Sequence, residues 1–223
     1  MHACNICNEL SLKSALESDR RYVSLVQSGD TRILETDNFV VLPSVGPIDS
    51  LHAMVVPRVH VNSFSTLPRS AIQEAHEILE QLRQFVEQVH SRKLVFFESG
   101  AGTLSDHSGG CIVHAHIHAL SSCPSFSERL RREVALELQD SEEPLARADR
   151  KFGYVWFVDE EKREYICNQP LLPSQFLRYL YSQCCAAGST WNWRRHPNVD
   201  GIFEVLRNYR GLDLPPSTGP MGF

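Results

Sequence analysis

Three histidines at alternate positions, His114, His116 and His118, stand in the run Cys111-Ile112-Val113-His114-Ala115-His116-Ile117-His118-Ala119-Leu120. With a period of two, Val113, Ala115, Ile117 and Ala119 share one face and the three imidazoles the other, the pattern of a half-buried strand. A strand rises roughly 3.3 Å per residue, so neighbouring histidines are expected about 7 Å apart and the outer pair about 13 Å apart. One metal ion reaches two of them at most. The row suits divided work: a nucleophile in the middle, a proton donor or phosphate contact on one side, and a structural or metal role on the other. Three of the chain's 10 histidines within five residues point to a site rather than to a merely polar strand face.

Other residues add chemistry. Cys4-Asn5-Ile6-Cys7 offers two thiolates at a spacing that takes adjacent corners of a zinc tetrahedron. No second Cys-x-x-Cys follows, and no strand precedes this one as a thioredoxin-type redox pair would require. Any zinc therefore draws its remaining ligands from distant positions. Residues 99–110 form a loop whose glycines, ending in Gly109 and Gly110, let backbone N–H groups approach a phosphate. Far downstream, Gln175 and Arg178 and the segment Trp191-Asn192-Trp193-Arg194-Arg195 bring arginine and tryptophan together. Such groups hold a phosphate and stack a base, or they lock two elements to each other.

The elements that must position these residues can be read from periodicity. Residues 22–26, 31–35, 39–42 and 52–56 are short β-branched or aromatic runs separated by turn-forming residues, an antiparallel meander. Residues 65–90 carry Ile72, Ala75, Leu79, Leu82, Val86 and Val89 at helical spacing, an amphipathic helix covering a sheet. Residues 93–98 return as a strand, and the triad strand follows the loop. A helix then begins near Cys123, with Ser125 and Glu128 at capping-box spacing. After a charged linker at 140–151 come a hairpin of 154–158 and 164–167, a helix from 174 to about 187 ending near Gly188, a short helix at 198–208 and a loose tail from Leu214.

With 42% apolar and 22% charged residues among 223, the chain reads as globular. A net charge of -5 argues against an extended nucleic-acid surface, which needs a basic stripe. With no run of 18 apolar residues and no basic segment followed by an apolar one at the start, neither a membrane span nor a secretory signal is expected. The seven cysteines, an odd number with Cys184 and Cys185 adjacent, suit a reducing, cytoplasmic setting better than a disulfide framework.

The segment His114-Ala115-His116-Ile117-His118-Ala119-Leu120 fits His-x-His-x-His-x-x, with x apolar, at every position, and so resembles the motif of the histidine-triad (HIT) superfamily. The order strands, helix, strand, loop, triad strand looks like the HIT core, over residues 1 to about 121. The resemblance implies an α+β fold: a HIT-like antiparallel sheet of about five strands with a covering helix at 1–121, and an α+β extension of helix, hairpin and two helices at 122–223 packed on it. It implies a structural zinc held by Cys4, Cys7, His60 and His114, and a homodimer formed by pairing sheets. It further implies a nucleotide hydrolase or nucleotidyltransferase in which His116 attacks an α-phosphate to form a nucleotidyl-histidine. His118 would contact phosphate oxygen or help protonate the leaving group. The substrate is then a nucleotide or nucleotidylated small molecule, with His52, Glu98, Gly109, Gly110, Cys111, Gln175, Arg178 and Arg194 as its candidate contacts.

Three positions depart from the family pattern. Glu98 stands where Asn or Gln is usual, Cys111 where Ser or Thr is, and Ser44 where an acid or amide holds the ribose. Glu98 is therefore expected to meet an amine or hydroxyl of a specialised substrate, since a carboxylate repels phosphate. Two alternatives stay open: a metal-dependent enzyme in which His114 and His116 share an open zinc or iron position, and a nucleotide-binding HIT protein with little catalysis.

Overall fold

The structure, a computed structural model, describes residues 4–13, 19–104, 108–110, 112–140, 144–185 and 190–212. Among these residues eight strands form one antiparallel sheet: Leu34–Glu35 (β1), Phe39–Pro43 (β2), Ala53–Pro57 (β3), Leu94–Gly100 (β4), Ile117–Ser121 (β5), Glu137–Leu138 (β6), Tyr154–Val158 (β7) and Glu164–Asn168 (β8). Their spatial order is β1-β2-β3-β5-β4-β7-β8-β6. The helices described are Asn5–Leu10 (α1), Arg20–Ser28 (α2), Arg69–His90 (α3), Pro124–Glu133 (α4), Phe176–Cys184 (α5) and Val199–Asn208 (α6). No helix among the described residues is long and apolar enough to cross a membrane.

The sheet does not end with the expected core. Strand β7 pairs with β4 from Phe96 opposite Val158 to Gly100 opposite Tyr154, so the anticipated hairpin continues the core sheet. That gives eight strands where about five were expected. Both faces of the central strands are covered, which is why β2, β3, β4 and β7 read as near-continuous apolar runs. On one face Ala75, Ile78, Leu82 and Val86 of α3 pack with Val55, Phe96, Ile117, Ala119 and Trp156. On the other, Phe126 and Leu130 of α4 and Leu177, Leu180 and Tyr181 of α5 pack with Val95, Phe97, Val155 and Phe157. A fully buried side chain of this kind contributes about 1.5–3 kcal/mol, so the extension's helices are a substantial part of the core.

Local chemistry overrides several sequence expectations. Residues 22–26 are helical rather than extended: the Asp19 carboxylate accepts the N–H groups of Arg21 and Tyr22, and Gly29, at φ 82°, closes α2. Tyr22 and Val26 then face Val199 and Ile202 of α6. Helix α3 begins at Arg69, behind a short 3-10 turn at Phe64–Thr66. No capping box forms on α4, where Pro124 leads the helix and the Ser125 hydroxyl turns to the Cys184 carbonyl. The triad segment becomes a strand only at Ile117. Cys123 and Cys185 are joined in a disulfide that ties the start of α4 to the end of α5, against the expectation of reduced cysteines. An odd count and an adjacent pair carry no information about which thiols the fold brings together. The contact expected at Cys111, the helix end near Gly188 and the tail from Leu214 lie outside the described residues.

Candidate active site

The N-terminus, the end of β3 and the approach to β5 meet at a cluster of thiols and imidazoles. Cys4 caps α1, its Sγ accepting the Cys7 N–H, which places both sulfurs on one side of the first turn. Cys7 Sγ lies 3.2 Å from His60 Nδ1 and 3.3 Å from His114 Nδ1, and Cys4 Sγ lies 3.6 Å from His114 Nδ1. All four ligand atoms fall within 4.8 Å of one another. Zinc bonds of about 2.3 Å to sulfur and 2.0 Å to nitrogen give a tetrahedron with S···N edges of about 3.5 Å, close to these separations. His114 Nε2–H donates to the Pro57 carbonyl at 2.8 Å, which leaves Nδ1 as the bare ligand atom. Burial and the neighbouring Cys4 sulfur push the Cys7 thiol up to about 11, so a cation joining the cluster is what would make it a thiolate. The donor set fits zinc.

The next imidazole faces elsewhere. His116 is 7% exposed and donates its Nδ1–H to the carbonyl of His114 at 2.8 Å, leaving the Nε2 lone pair free. Burial holds it down to about 4, so the ring is neutral at pH 7. His114 and His116 therefore do not share a metal: the Nδ1 of one turns to the thiols, whereas the Nδ1 of the other is spent on a carbonyl. That removes the structural basis for a His-x-His centre built on this pair.

The protonation of His118 follows from a short chain of hydrogen bonds. The Ile48 N–H donates to His52 Nδ1 at 3.2 Å, so in a neutral His52 the proton sits on Nε2. His52 Nε2 lies 2.8 Å from His118 Nδ1 and donates to it. His118, neutral as well, must then carry its proton on Nε2. Burial lowers both rings well below the usual histidine range, which keeps them neutral. The rings of His116 and His118 meet edge to face with centroids 4.7 Å apart. This is closer than the 7 Å of a regular strand because residues 112–116 precede β5.

Both rings open into one cleft. Asn5, Ile6 and Glu9 of α1 form one wall, Met54 of β3 and Ile112 another, and Arg178 and Trp193 of the extension a third. Its interior holds about 20 Å³ of free space, room for one water, so a larger ligand must displace side chains at the mouth. Arg178 is 3% exposed and bonds Ser44 Oγ and the carbonyls of Gly46 and Trp191. Its charge also disfavours protonation of His52, His116 and His118. At Gly109, φ is 85°, a conformation that favours glycine. Its carbonyl accepts the Gln175 N–H at 2.7 Å, which ties the loop to the start of α5.

Of the candidate substrate contacts, Arg178 is among the residues forming the cleft wall, whereas Gly109 and Gly110, on the loop before the triad, and Gln175, at the start of α5, are not among the residues that line it. Three others are placed elsewhere. His52 is fully buried with both ring nitrogens engaged, and it serves His118. Glu98 points to the α3 side of the sheet, away from its β5 neighbour's His118, and its oxygens accept the Phe64 N–H and the Tyr154 hydroxyl. Arg194 is exposed and lies over the Trp193 ring, 5.3 Å from its centroid. Sequence reasoning missed Glu9. A signal existed, since Glu9 follows Ile6 by three residues and so shares its face of a helix.

A family model described as "Scavenger mRNA decapping enzyme C-term binding" matches residues 22–130. Solved structures similar to this chain include a zinc-bound histidine triad family protein from Mycobacterium smegmatis, 15% identical, with a TM-score of 0.42 over 53% of this chain and 74% of that one. A HIT family protein from Bacillus anthracis is 11% identical, with a TM-score of 0.42 over 54% and 73%. A histidine triad protein from Clostridium difficile is 15% identical, with a TM-score of 0.40 over 55% and 92%. No curated protein matches the chain. The complete triad sequence and the family model over residues 22–130 make this part of the chain similar to histidine-triad proteins.

Proposed function

We propose that this protein is a nucleotide hydrolase or nucleotidyltransferase that works through a covalent nucleotidyl-histidine on His116. The observation that carries the reading is the division of protons: His116 is fixed with a bare Nε2 in the cleft, beside a His118 fixed with Nε2–H. Attack forms an Nε2–P bond at the α-phosphorus and breaks the bond from phosphorus to the leaving group, which departs with the electron pair. The imidazole keeps its Nδ1–H on the His114 carbonyl, so the intermediate is a phosphorylated imidazolium stabilised by that carbonyl. Water or another acceptor then attacks phosphorus, the Nε2–P bond breaks, its pair returns to Nε2, and the acceptor's proton passes to solvent.

His118 acts in this scheme as a hydrogen-bond donor to phosphate oxygen rather than as an acid, because a neutral imidazole holds its one N–H proton too tightly to release it. Backbone N–H groups of the loop that ends in Gly109 and Gly110 are the further candidate donors, with Arg178 supplying positive charge. Cys4, Cys7, His60 and His114 would hold a structural zinc, which supplies folding energy and no chemistry of its own in the reaction. The family model's name speaks of decapping, which supports including dinucleoside polyphosphates among test substrates. A mass-spectrometric search for a nucleotidyl adduct on His116, after rapid acid-free quench with a panel of donors, tests the reading. Turnover with no adduct, and undiminished in His116→Ala, would sink it.

A further inference from the structure

The Cys123–Cys185 bond joins the residue that opens α4 to the residue that closes α5. Cys123 occupies the N-cap of α4 but makes no side-chain cap bond there, its sulfur being engaged with Cys185. That sulfur stays near the first turn, 3.3 Å from the Ser125 hydroxyl. Pro124 has no N–H, and those of Phe126 and Ser127 go to the Cys123 carbonyl. A charged acceptor at the N-cap would take the Ser125 N–H and meet the positive end of the helix, and a Cys123 thiolate is such an acceptor. A disulfide whose reduced form gains a contact of this kind opens more readily than a purely structural one. Both cysteines are half-buried rather than sealed in the core, and Cys184 beside them is a free thiol.

Beyond Cys185 the chain returns to α5 and the cleft. The Arg178 Nε–H donates to the Trp191 carbonyl at 2.9 Å, the Tyr179 and Trp191 rings meet edge to face, and Trp193 belongs to the cleft wall. The disulfide thus pins the start of this return and Arg178 its end. Leu177, Leu180 and Tyr181 keep α5 packed on the sheet whether or not the bond is closed, so opening it frees the return and not the fold.

We propose that the Cys123–Cys185 disulfide is a redox switch that opens to monothiols of the glutathione class and, by opening, loosens the Trp191–Trp193 wall of the cleft. A first thiolate bonds Cys185 Sγ, and the Cys123–Cys185 bond breaks with its electron pair leaving on Cys123 Sγ. A second thiolate then attacks the sulfur of the bound monothiol, which forms the oxidised reagent and releases Cys185 as a thiolate. Two electrons pass from two thiols to the pair, and the two protons those thiols lost are returned through solvent.

The full chain, oxidised with oxidised glutathione and trapped with iodoacetamide, should give the linked Cys123–Cys185 peptide in mass spectrometry. After equilibration in millimolar reduced glutathione both cysteines should be alkylated in folded protein, Cys123 at least several-fold faster than Cys185 at neutral pH. Reduction should shift tryptophan emission to the red, because two of the three tryptophans lie in this wall. It should also lower hydrogen-exchange protection of residues 190–193 by about tenfold while leaving β4 and β5 unchanged. Cys185→Ser should show the reduced values with or without glutathione, and Cys184→Ser should keep the transition. Failure to form the bond, or a bond that survives millimolar reduced glutathione, overturns the switch. Loss of the transition in Cys184→Ser does so too, since it places the exchange on another thiol. Opening without a change in emission or exchange overturns the coupling to the cleft and the proposal with it. If Cys185→Ser does not fold, the titration of the wild type decides alone.

Discussion

His116 and His118 differ only in which ring nitrogen is committed, and that difference makes separable predictions. His116→Ala removes the attacking pair, so turnover should vanish while nucleotide affinity stays within a few fold, measured by single-turnover kinetics and calorimetry on the same preparation. His118→Ala removes one fixed donor to the phosphate, and kcat should fall by about 10²- to 10³-fold. The loss should be the same for a phosphate and an amine leaving group. A much larger loss for the amine would show that His118 donates its proton after all, contrary to the tautomer that His52 and the Ile48 N–H impose. The triad was legible as a row of three chemically active residues, because alternation survives in the sequence. Its proton arrangement was not, since it depends on Ile48 and His52, which lie more than 60 residues away.

At the level of elements, two buried polar arrangements set the response to conditions. On β4, burial first of all holds Glu98 up to about 7 against an ordinary 4.5, partly offset by the bonds it accepts from Tyr154 and Phe64. The stability tied to its neutral form is fully present below pH 4.5 and is lost as pH rises, until the folded group ionises near 7. The slope is at most about 1.4 kcal/mol per pH unit, and Glu98→Gln should abolish it in urea melts across that window. Where α1 meets the end of β3, chelation should release zinc and lower the melting temperature, and metal-free protein of equal stability would remove the structural role. The strand, helix and hairpin positions of residues 39–100 and 154–168 could be read from apolar runs. Helix α2 could not, because Tyr22, Val23 and Val26 favour strands while Asp19 and Gly29, outside the run, decide the outcome. Glu98 likewise reads as a site residue until the strand's parity turns it to the α3 face.

For the molecule as a whole, the joining of β7 to β4 decides what the extension does. The β4 edge, which a sheet-pairing dimer would use, is already occupied by β7. The remaining edges, β1 and β6, are two residues long, a common protection against pairing between chains. Light scattering at micromolar concentration should therefore return the mass of one chain, 25.3 kDa, and twice that mass would show that another surface pairs. The extension was visible in the sequence as helix, hairpin and helices. That its strands continue the core sheet was not, because pairing partners some 60 residues apart leave no mark on local periodicity. The cleft itself is assembled from opposite ends of the chain: Asn5 and Glu9 stand on one wall, Arg178 and Trp193 on another. During synthesis the triad emerges long before that last wall exists. On the proposed function, a nascent or prematurely terminated chain would carry the nucleophile without the enclosure that aims it, and activity would appear only once residue 193 has left the ribosome and docked.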